Sequence, residues 1–333
     1  MMEMRIERAG MFSVVQDLGR YGHQRFGVPV NGAMDEWAHR LANALVGNDE
    51  QAATLECLLT GPTLRFTHNA LIALTGGDFH AEIEGTRLPM NQPLMVRRDV
   101  PITFAQQRSG ARAYIAVRGG INTPPVLGSR STFVRAGYGG WEGRALVRGD
   151  RLPIGALSSH MLSIERLLVQ TGSTYVSLGL LDGVAALLDA DPSQPIRFMR
   201  GPQWRRFTLA SRAAFMQQPY TVTQQSDRMG YRLQGTPLNL NAPLEMISEA
   251  VNVGTIQVPP NGEPILLMAD RQTAGGYPKL GYVATADISR VAQALPGDAL
   301  RFTPIAQRQA ERLLWLRYRQ LADIANAAAR VLT

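Results

Sequence analysis

Ten consecutive residues, Asp270-Arg-Gln-Thr-Ala-Gly-Gly-Tyr-Pro-Lys279, put an acid, a guanidinium, an amide, a hydroxyl, a phenol and an amine on one stretch. Such a set suits binding of a small polar molecule and stabilisation of negative charge developing on an oxygen. Arg271, or Arg228 upstream, offers a bidentate grip on a carboxylate. Lys279 offers a point charge for a carboxylate or phosphate, and it is the only lysine in the chain. Gln272, Thr273 and Tyr277 add neutral hydrogen-bonding groups. Two glycines let backbone approach a ligand closely.

The same residue types recur on other polar stretches: Gln16, Asp17, Arg20, Asp35 and Glu56 in the first half, then Arg228, Glu249 and Gln257 in the second. For Asp17 and Glu56, loop capping and strand pairing compete with a role in chemistry. Other chemistries lack their signatures. Five histidines (23, 39, 68, 80, 160) are widely separated, with no HExxH, and one cysteine allows no CxxC, so no metal site is assigned. There is no GxxxxGK[ST], no GxGxxG fingerprint and no GxSxG elbow. Cys57, within Leu55-Glu-Cys-Leu-Leu59, reads as a buried, inert thiol.

These residues need elements to position them. The apolar run Pro264–Ala269 reads as a buried strand whose end fixes the root of the 270–279 loop. At 333 residues the chain is long enough for about two domains. Residues 4–15 read as one opening strand, followed by a glycine-rich loop. Met34, Trp37, Ala38, Leu41 and Leu45 then recur at helical spacing, with Asp35 at the start and Gly47 past the end. From Ala53 to Ile121, and again from 196 to 303, short apolar runs alternate with turns, the pattern of a sandwich or barrel. Thr303 followed by Pro304 predicts the start of a terminal helix, with an apolar stripe from 310 to 332. Residues 156–192 permit strand or helix, and Pro192-Ser-Gln-Pro195 is the most linker-like segment. The halves also echo each other: 17–22 with 227–232, Thr54–Gly61 with Ile247–Gly254, and 70–75 with 264–269.

A net charge of +7 reads first as a general bias to arginine with the charge spread over the surface, and second as attraction to acidic ligands such as nucleotides or carboxylates; no basic run is interleaved with aromatics, which argues against nucleic acid. No apolar run of about 18 residues suggests a membrane span, and the N-terminus has no apolar signal core. The expectation is a cytoplasmic protein.

Longer motifs carry a resemblance. Gln16-Asp-Leu-Gly-Arg20, Gly27-Val-Pro-Val-Asn-Gly-Ala-Met-Asp35, Ala42-Asn-Ala-Leu-Val-Gly-Asn48, Glu56 with Gly61-Pro62, Asp227-Arg-Met-Gly-Tyr-Arg-Leu233, Gly254-Thr-Ile-Gln-Val-Pro-Pro260, Asp270–Pro278 and Gln293 with Pro296-Gly-Asp298 resemble the biotin-dependent carboxyltransferase family. The similarity runs from about residue 12 to 303. That family includes the C-type subunit of 5-oxoprolinase (the KipI antagonist, KipA), allophanate hydrolase subunit 2 and the carboxyltransferase domain of urea carboxylase. The resemblance implies a mainly β fold with a few helices: two related cyclophilin-like β-barrel domains, placed here at 1–194 and at 195–333 with the terminal helix. It implies a subunit of an ATP-dependent 5-oxoprolinase, hydrolysing 5-oxo-L-proline to L-glutamate with homologues of the A-type and the KipI-like B-type subunits. ATP would be shared with a partner subunit, with Mg²⁺ a candidate companion. Two alternatives stay open: a carboxyltransferase subunit taking the carboxyl group from carboxybiotin on another chain to urea or a related amide, and a non-catalytic regulator of a KipI-like partner. The lone lysine in Tyr-Pro-Lys-Leu lacks a biotin carrier's Met-Lys-Met context, so no covalent biotin is expected on this chain. Within this frame catalysis is assigned to Glu249, Asp270 and Lys279, with Glu249 or Asp270 handling a proton or holding Mg²⁺. Binding of the small amide substrate is assigned to Gln16, Arg20, Arg228, Gln257, Arg271, Gln272, Thr273 and Tyr277.

Overall fold

The computed structural model describes residues 2–105, 107–156, 161–184, 187 and 194–332. His160 and the Pro192-Ser193 end of the expected linker lie outside the described residues. The chain divides into two compact units, one of Met1–Arg20, Asp35–Asp189 and Arg319–Thr333, the other of Tyr21–Met34 and Ala190–Tyr318.

The first unit contains β1 (Glu3–Arg8), β2 (Phe12–Gln16), α1 (Glu36–Leu45), β3 (Thr54–Leu58), β4 (Thr63–Phe66), β5 (Ala70–Asp78), β6 (Ala81–Ile83), β7 (Thr86–Arg87), β8 (Pro93–Val96), β9 (Thr103–Phe104), β10 (Ser109–Val117), β11 (Arg151–Pro153), α2 (Met161–Thr171) and β12 (Tyr175–Ser177). Six strands form one sheet in the order β12-β8-β5-β10-β3-β2. The expected single opening strand is two strands. It breaks at Gly10, whose φ of +75° only glycine adopts easily, and whose absent Cβ would lie 2.5 Å from the Thr60 carbonyl oxygen. α1 begins where the spacing places it: the Asp35 carboxylate accepts from the Ala38 amide at 3.0 Å and caps the helix. Every residue of α1 from Trp37 to Leu45 is buried. The open stretch 156–192 contains α2 and then β12, which pairs with β8.

The second unit contains β13 (Ile196–Arg200), α3 (Leu209–Gln217), β14 (Tyr220–Val222), β15 (Gly230–Gln234), β16 (Glu249–Ala250), β17 (Thr255–Gln257), β18 (Ile265–Leu267), β19 (Ala274–Gly275), β20 (Lys279–Val283), α4 (Ile288–Ala292), β21 (Ala299–Leu300), β22 (Phe302–Pro304) and α5 (Gln307–Leu332). Eight of its strands, in the order β21-β14-β15-β18-β17-β20-β13-β22, make a nearly closed barrel. Phe198, Phe215, Tyr220 and Phe302 pack in one aromatic cluster of its core, with Phe215 stacked on Phe302 at 4.5 Å. The fold is thus mainly β with a few helices, as the turn-punctuated apolar runs predict.

The terminal helix starts later than Thr303-Pro304 suggests. Pro304 sits in β22, parallel to Phe198 of β13, where the missing amide hydrogen is tolerated at the end of a strand. α5 begins at Gln307, and the Gln309 side chain accepts from the Ala306 amide at 2.9 Å, one half of a capping box. α5 is divided between the units: its residues to Tyr318 belong with the second, and those from Arg319 with the first. Among the described residues no helix is long and apolar enough to cross a membrane.

Candidate functional site

β18 delivers the chain to Asp270, and β20 receives it again at Lys279. Both strands pair with β17, so barrel hydrogen bonds hold both roots of the loop. At the first root the Asp270 amide donates to the Arg228 carbonyl at 2.8 Å. Above it the Arg228 guanidinium meets the Asp270 carboxylate bidentately, Nε to Oδ2 and Nη2 to Oδ1 at 3.0 Å each. The same Nη2 donates to the Gly32 carbonyl at 2.6 Å and lies 3.2 Å from Asn31 Oδ1. Asn31 has a φ of +61°, a conformation Asn tolerates better than most residues. Arg228 and Asp270 therefore neutralise each other and knit together three loops of the second unit.

At the second root, β16 and β19 form a two-stranded ribbon with Glu249 opposite Gly275 and Ala250 opposite Ala274. The Val251 amide extends it by donating to the Thr273 carbonyl at 3.2 Å. This ribbon brings Glu249 to Lys279, whose Nζ donates to Glu249 Oε2 at 2.7 Å and to the Ala250 carbonyl at 3.0 Å. Side-chain exposure is lopsided, 5% for Lys279 against 51% for Glu249. Two of the three ammonium hydrogens are thus used, and the third has no hydrogen-bond acceptor among the described residues. Gln257 is buried opposite Lys279 in the β17–β20 pair, and its Nε2 lies 3.5 Å from the Tyr277 carbonyl. Gly275 makes room for that amide, because a Cβ there would stand 2.7 Å from Gln257 Nε2 and 3.3 Å from Gln272 Nε2. The Arg271 guanidinium reaches two carbonyls, Nε to Val251 and Nη1 to Met268, each at 3.4 Å. Arg228, Glu249, Gln257, Asp270, Arg271, Thr273 and Lys279 are accordingly joined through hydrogen bonds and strand pairing, with Gln272 and Tyr277 on the same stretch of chain.

Gln16 and Arg20 belong to the first unit. Both are buried. Gln16 Nε2 donates to the Thr132 carbonyl at 3.1 Å, while Arg20 Nη2 donates to the Ser131 carbonyl at 2.5 Å and its guanidinium carbon sits 4.9 Å from the Tyr138 ring centre. Asp17 accepts from the Gly19 amide and from the hydroxyls of Ser129 and Ser131 through Oδ1, and from the Arg130 amide through Oδ2. These contacts tie the 126–132 loop to the end of β2. Glu56 is buried in mid-sheet, where Tyr114 Oη donates to its Oε2 at 2.7 Å and itself accepts from the Asp35 amide at 2.8 Å. Burial raises the Tyr114 pKa well above the ordinary phenol range. Glu249 stands half exposed on a ribbon, so the two glutamates of the sequence echo occupy dissimilar places.

Grooves open on the second unit among its described residues. One of about 750 Å³ lies between α5 and strands β13, β20 and β22, lined by Arg200, Tyr282 and Leu314 among others, and includes no residue of the 270–279 loop. Another, about 540 Å³, has Tyr277 in its wall together with Arg232, Gln234 and Glu263. Sequence reading passes over Arg232, although the alternation Gly230-Tyr-Arg-Leu-Gln234 points it to the outer face of β15: Tyr231 and Leu233 are buried, Arg232 and Gln234 exposed. Among the described residues no group of three or more His, Cys, Asp or Glu converges as a metal-binding set.

Comparison with known proteins places the chain in a wider group. A family model described as "Carboxyltransferase domain, subdomain A and B" matches residues 26–304. The C-type subunit of 5-oxoprolinase from Escherichia coli strain K12 is 38% identical over 323 residues, covering 94% of this chain and 98% of that protein. Its namesake from Haemophilus influenzae is 36% identical over 90% of this chain and 91% of its own length. The crystal structure of the K. lactis urea amidolyase superposes with a TM-score of 0.85 at 28% identity, over 97% of this chain but only 20% of that one.

Proposed function

The chain belongs to the carboxyltransferase domain family, subdomains A and B, and from that premise we propose that it is the C-type subunit of an ATP-dependent 5-oxoprolinase, acting with A-type and B-type partners. The observation that carries this reading is the near end-to-end match to a protein named as the C-type subunit of 5-oxoprolinase, 98% of whose length is covered. The reaction turns 5-oxo-L-proline, ATP and water into L-glutamate, ADP and phosphate. A lactam is a poor electrophile. Transfer of the γ-phosphoryl group to its oxygen, with ADP leaving, makes the ring carbon open to water. The C–N bond then breaks to a free amine and leaves a γ-glutamyl phosphate, and a second water hydrolyses that acyl phosphate to glutamate and phosphate.

In this reading the chain's own residues bind, orient and stabilise. Lys279 aims its remaining hydrogen at oxygen that gains negative charge, with the Glu249 carboxylate and the Ala250 carbonyl fixing the ammonium. Glu249, half exposed, is placed to hold a water or accept its proton. Gln272, Thr273, Gln257 and Tyr277 supply hydrogen bonds to the substrate. Arg228 and Asp270, already committed to each other, hold the loop in position. ATP and its cation are taken to meet the partner chains.

A second reading has its own support. The likeness to urea amidolyase favours carboxyl transfer to an amide, with biotin on another chain. The sole lysine is almost fully buried and doubly hydrogen-bonded, which is unlike the exposed site that biotinylation needs.

The test mixes the purified chain with its A-type and B-type partners, ATP and 5-oxo-L-proline, and measures glutamate. Glutamate formed only when all components are present is expected. A stable complex of all three chains that produces none would overturn the hydrolase reading. Alanine at Arg271, Thr273 and Lys279 should each lower turnover; wild-type rates in all three would reject the loop as the site.

A further inference from the structure

The anion-binding assignments made from sequence fall on cations that the fold has already engaged. Arg228 is bidentate with Asp270, Lys279 is held by Glu249, and Arg271 reaches two carbonyl oxygens. Arg232 differs. Its backbone is fixed, since its amide donates to Ser226 Oγ at 3.1 Å and its carbonyl accepts from the Thr223 amide at 3.0 Å. No carboxylate lies within ion-pair distance of its guanidinium among the described residues. It stands on the wall of the 540 Å³ groove that also presents Tyr277, Gln225, Gln234, Glu263 and Thr223. Thr223 Oγ1 is buried and has no hydrogen-bond partner among the described residues. Glu263 Oε2 accepts from Asn261 Nδ2 at 3.3 Å and keeps further acceptor capacity.

We infer that this groove on the outer face of the second-unit barrel binds a small carboxylate that also carries an amide, its carboxylate on Arg232 and its amide between Glu263 and the side-chain amides. The inference rests on the 5-oxoprolinase reading for the identity of the ligand, 5-oxo-L-proline, and extends it by naming a recognition site beyond the 270–279 loop. The chemistry matches group by group. A planar guanidinium suits a carboxylate in a bidentate pair. A carboxylate such as Glu263 accepts a lactam N–H, and a primary amide such as Gln234 or Gln225 donates to a lactam C=O. Tyr277 offers a ring face to the flat five-membered ring and belongs to both the groove and the loop. The groove is much roomier than one lactam acid needs, so affinity on the order of 1 mM is expected for so small a ligand.

The test is titration of the full chain by calorimetry or ligand-observed NMR with 5-oxo-L-proline, 2-pyrrolidone, which lacks the carboxylate, and L-proline, which lacks the lactam carbonyl. Saturable binding of 5-oxo-L-proline, and about tenfold weaker binding of both controls, is expected. Arg232→Met should weaken 5-oxo-L-proline about tenfold, Gln234→Ala should weaken it by less, and Arg200→Met, in the wall of the α5 groove, should leave it unchanged. In the reconstituted enzyme Arg232→Met should raise KM about tenfold with kcat nearly constant. Arg232 is exposed, so its replacement leaves the core intact. No binding of 5-oxo-L-proline up to about 20 mM, or loss of binding in Lys279→Met but not in Arg232→Met, would overturn the inference. If the reconstituted enzyme makes glutamate and Arg232→Met leaves KM unchanged, the groove assignment fails while the hydrolase reading stands. Binding at Arg232 without glutamate formation would do the reverse.

Discussion

Arg228→Met tests whether the loop is held by the Arg228–Asp270 pair. The two side chains are 14% and 11% exposed and meet in two bonds of 3.0 Å. Removing the guanidinium strips the Asp270 carboxylate of its bidentate partner in a place where water reaches it poorly, and it also removes the donor to the Gly32 carbonyl. Breaking one side of such a pair costs about 3–5 kcal/mol. In a unit of this size that lowers its melting temperature by roughly 10 °C or more. Arg228→Lys keeps the charge but loses the fork, and one ammonium cannot serve both Asp270 and Gly32, so about half the loss is expected. The decisive measurement is a double-mutant cycle with Asp270→Leu, read by urea unfolding. With both charges gone no charge is left buried and unpaired, so the double variant should recover about 2 kcal/mol relative to additivity. A single variant within about 1 kcal/mol of wild type, or strict additivity in the cycle, would refute the reasoning.

Lys279→Met should lower kcat/KM for glutamate formation by about 10²–10³-fold while shifting stability by less than about 1 kcal/mol, since Met fills the space and the half-exposed Glu249 rehydrates; loss of stability without loss of rate would contradict the assignment. Gly275→Ala should slow turnover by displacing the Gln257 amide, whose Nε2 lies 2.7 Å from the added methyl group; an unchanged rate would show that this amide plays no part. His39 is fully buried, and burial pushes its pKa from 6.5 down to about 4. Between those values the unfolded chain binds a proton that the folded chain refuses, so stability should fall by about 3 kcal/mol as pH drops through the window; His39→Gln should flatten that slope in urea midpoints measured from pH 7 to 4. Cys57 is buried, with its thiol pushed up to about 12 by burial, so a thiol reagent at pH 8 should label it only after denaturant is added, and rapid native labelling would show the strand to be open.

What the sequence made legible follows from the range of the interactions involved. Strand and turn alternation is local, and the strands near 54–58, 63–66, 93–96 and 196–200 lie where the apolar runs put them. The α1 start is local too, since Asp35 caps an amide three residues on. The split of the opening strand was hidden, because Gly10 answers to the Thr60 carbonyl fifty residues away. The late start of α5 depends on the pairing of β22 with β13, which Thr303-Pro304 cannot announce. At the candidate site, residue density drew attention to 270–279, and the structure ties that stretch to Arg228, Glu249 and Gln257. It could not tell which charges would be consumed by partners: Arg228 meets Asp270 across 42 positions, and Lys279 meets Glu249 across 30. Arg232 was visible in the Asp227–Leu233 motif but was outranked by its neighbour, because which of two nearby arginines keeps an open guanidinium is decided by the strand's pleat and by distant acids.

The two ion pairs of the loop do different work, and their burial says why. Where both partners are shielded, as for Arg228 and Asp270, neither can leave without stranding the other, so the pair holds a fixed geometry. Where one partner is shielded and the other half in water, as for Lys279 and Glu249, the exposed carboxylate can exchange its contact for solvent or ligand at small cost, so the lysine is held without being locked. A site needs both properties: a frame that does not drift and a charge that can be redirected. It follows that loss of Arg228 should depress stability and rate together, whereas loss of Lys279 should depress rate alone. This divergence between two cations of one polar cluster is something a merely structural cluster would not produce.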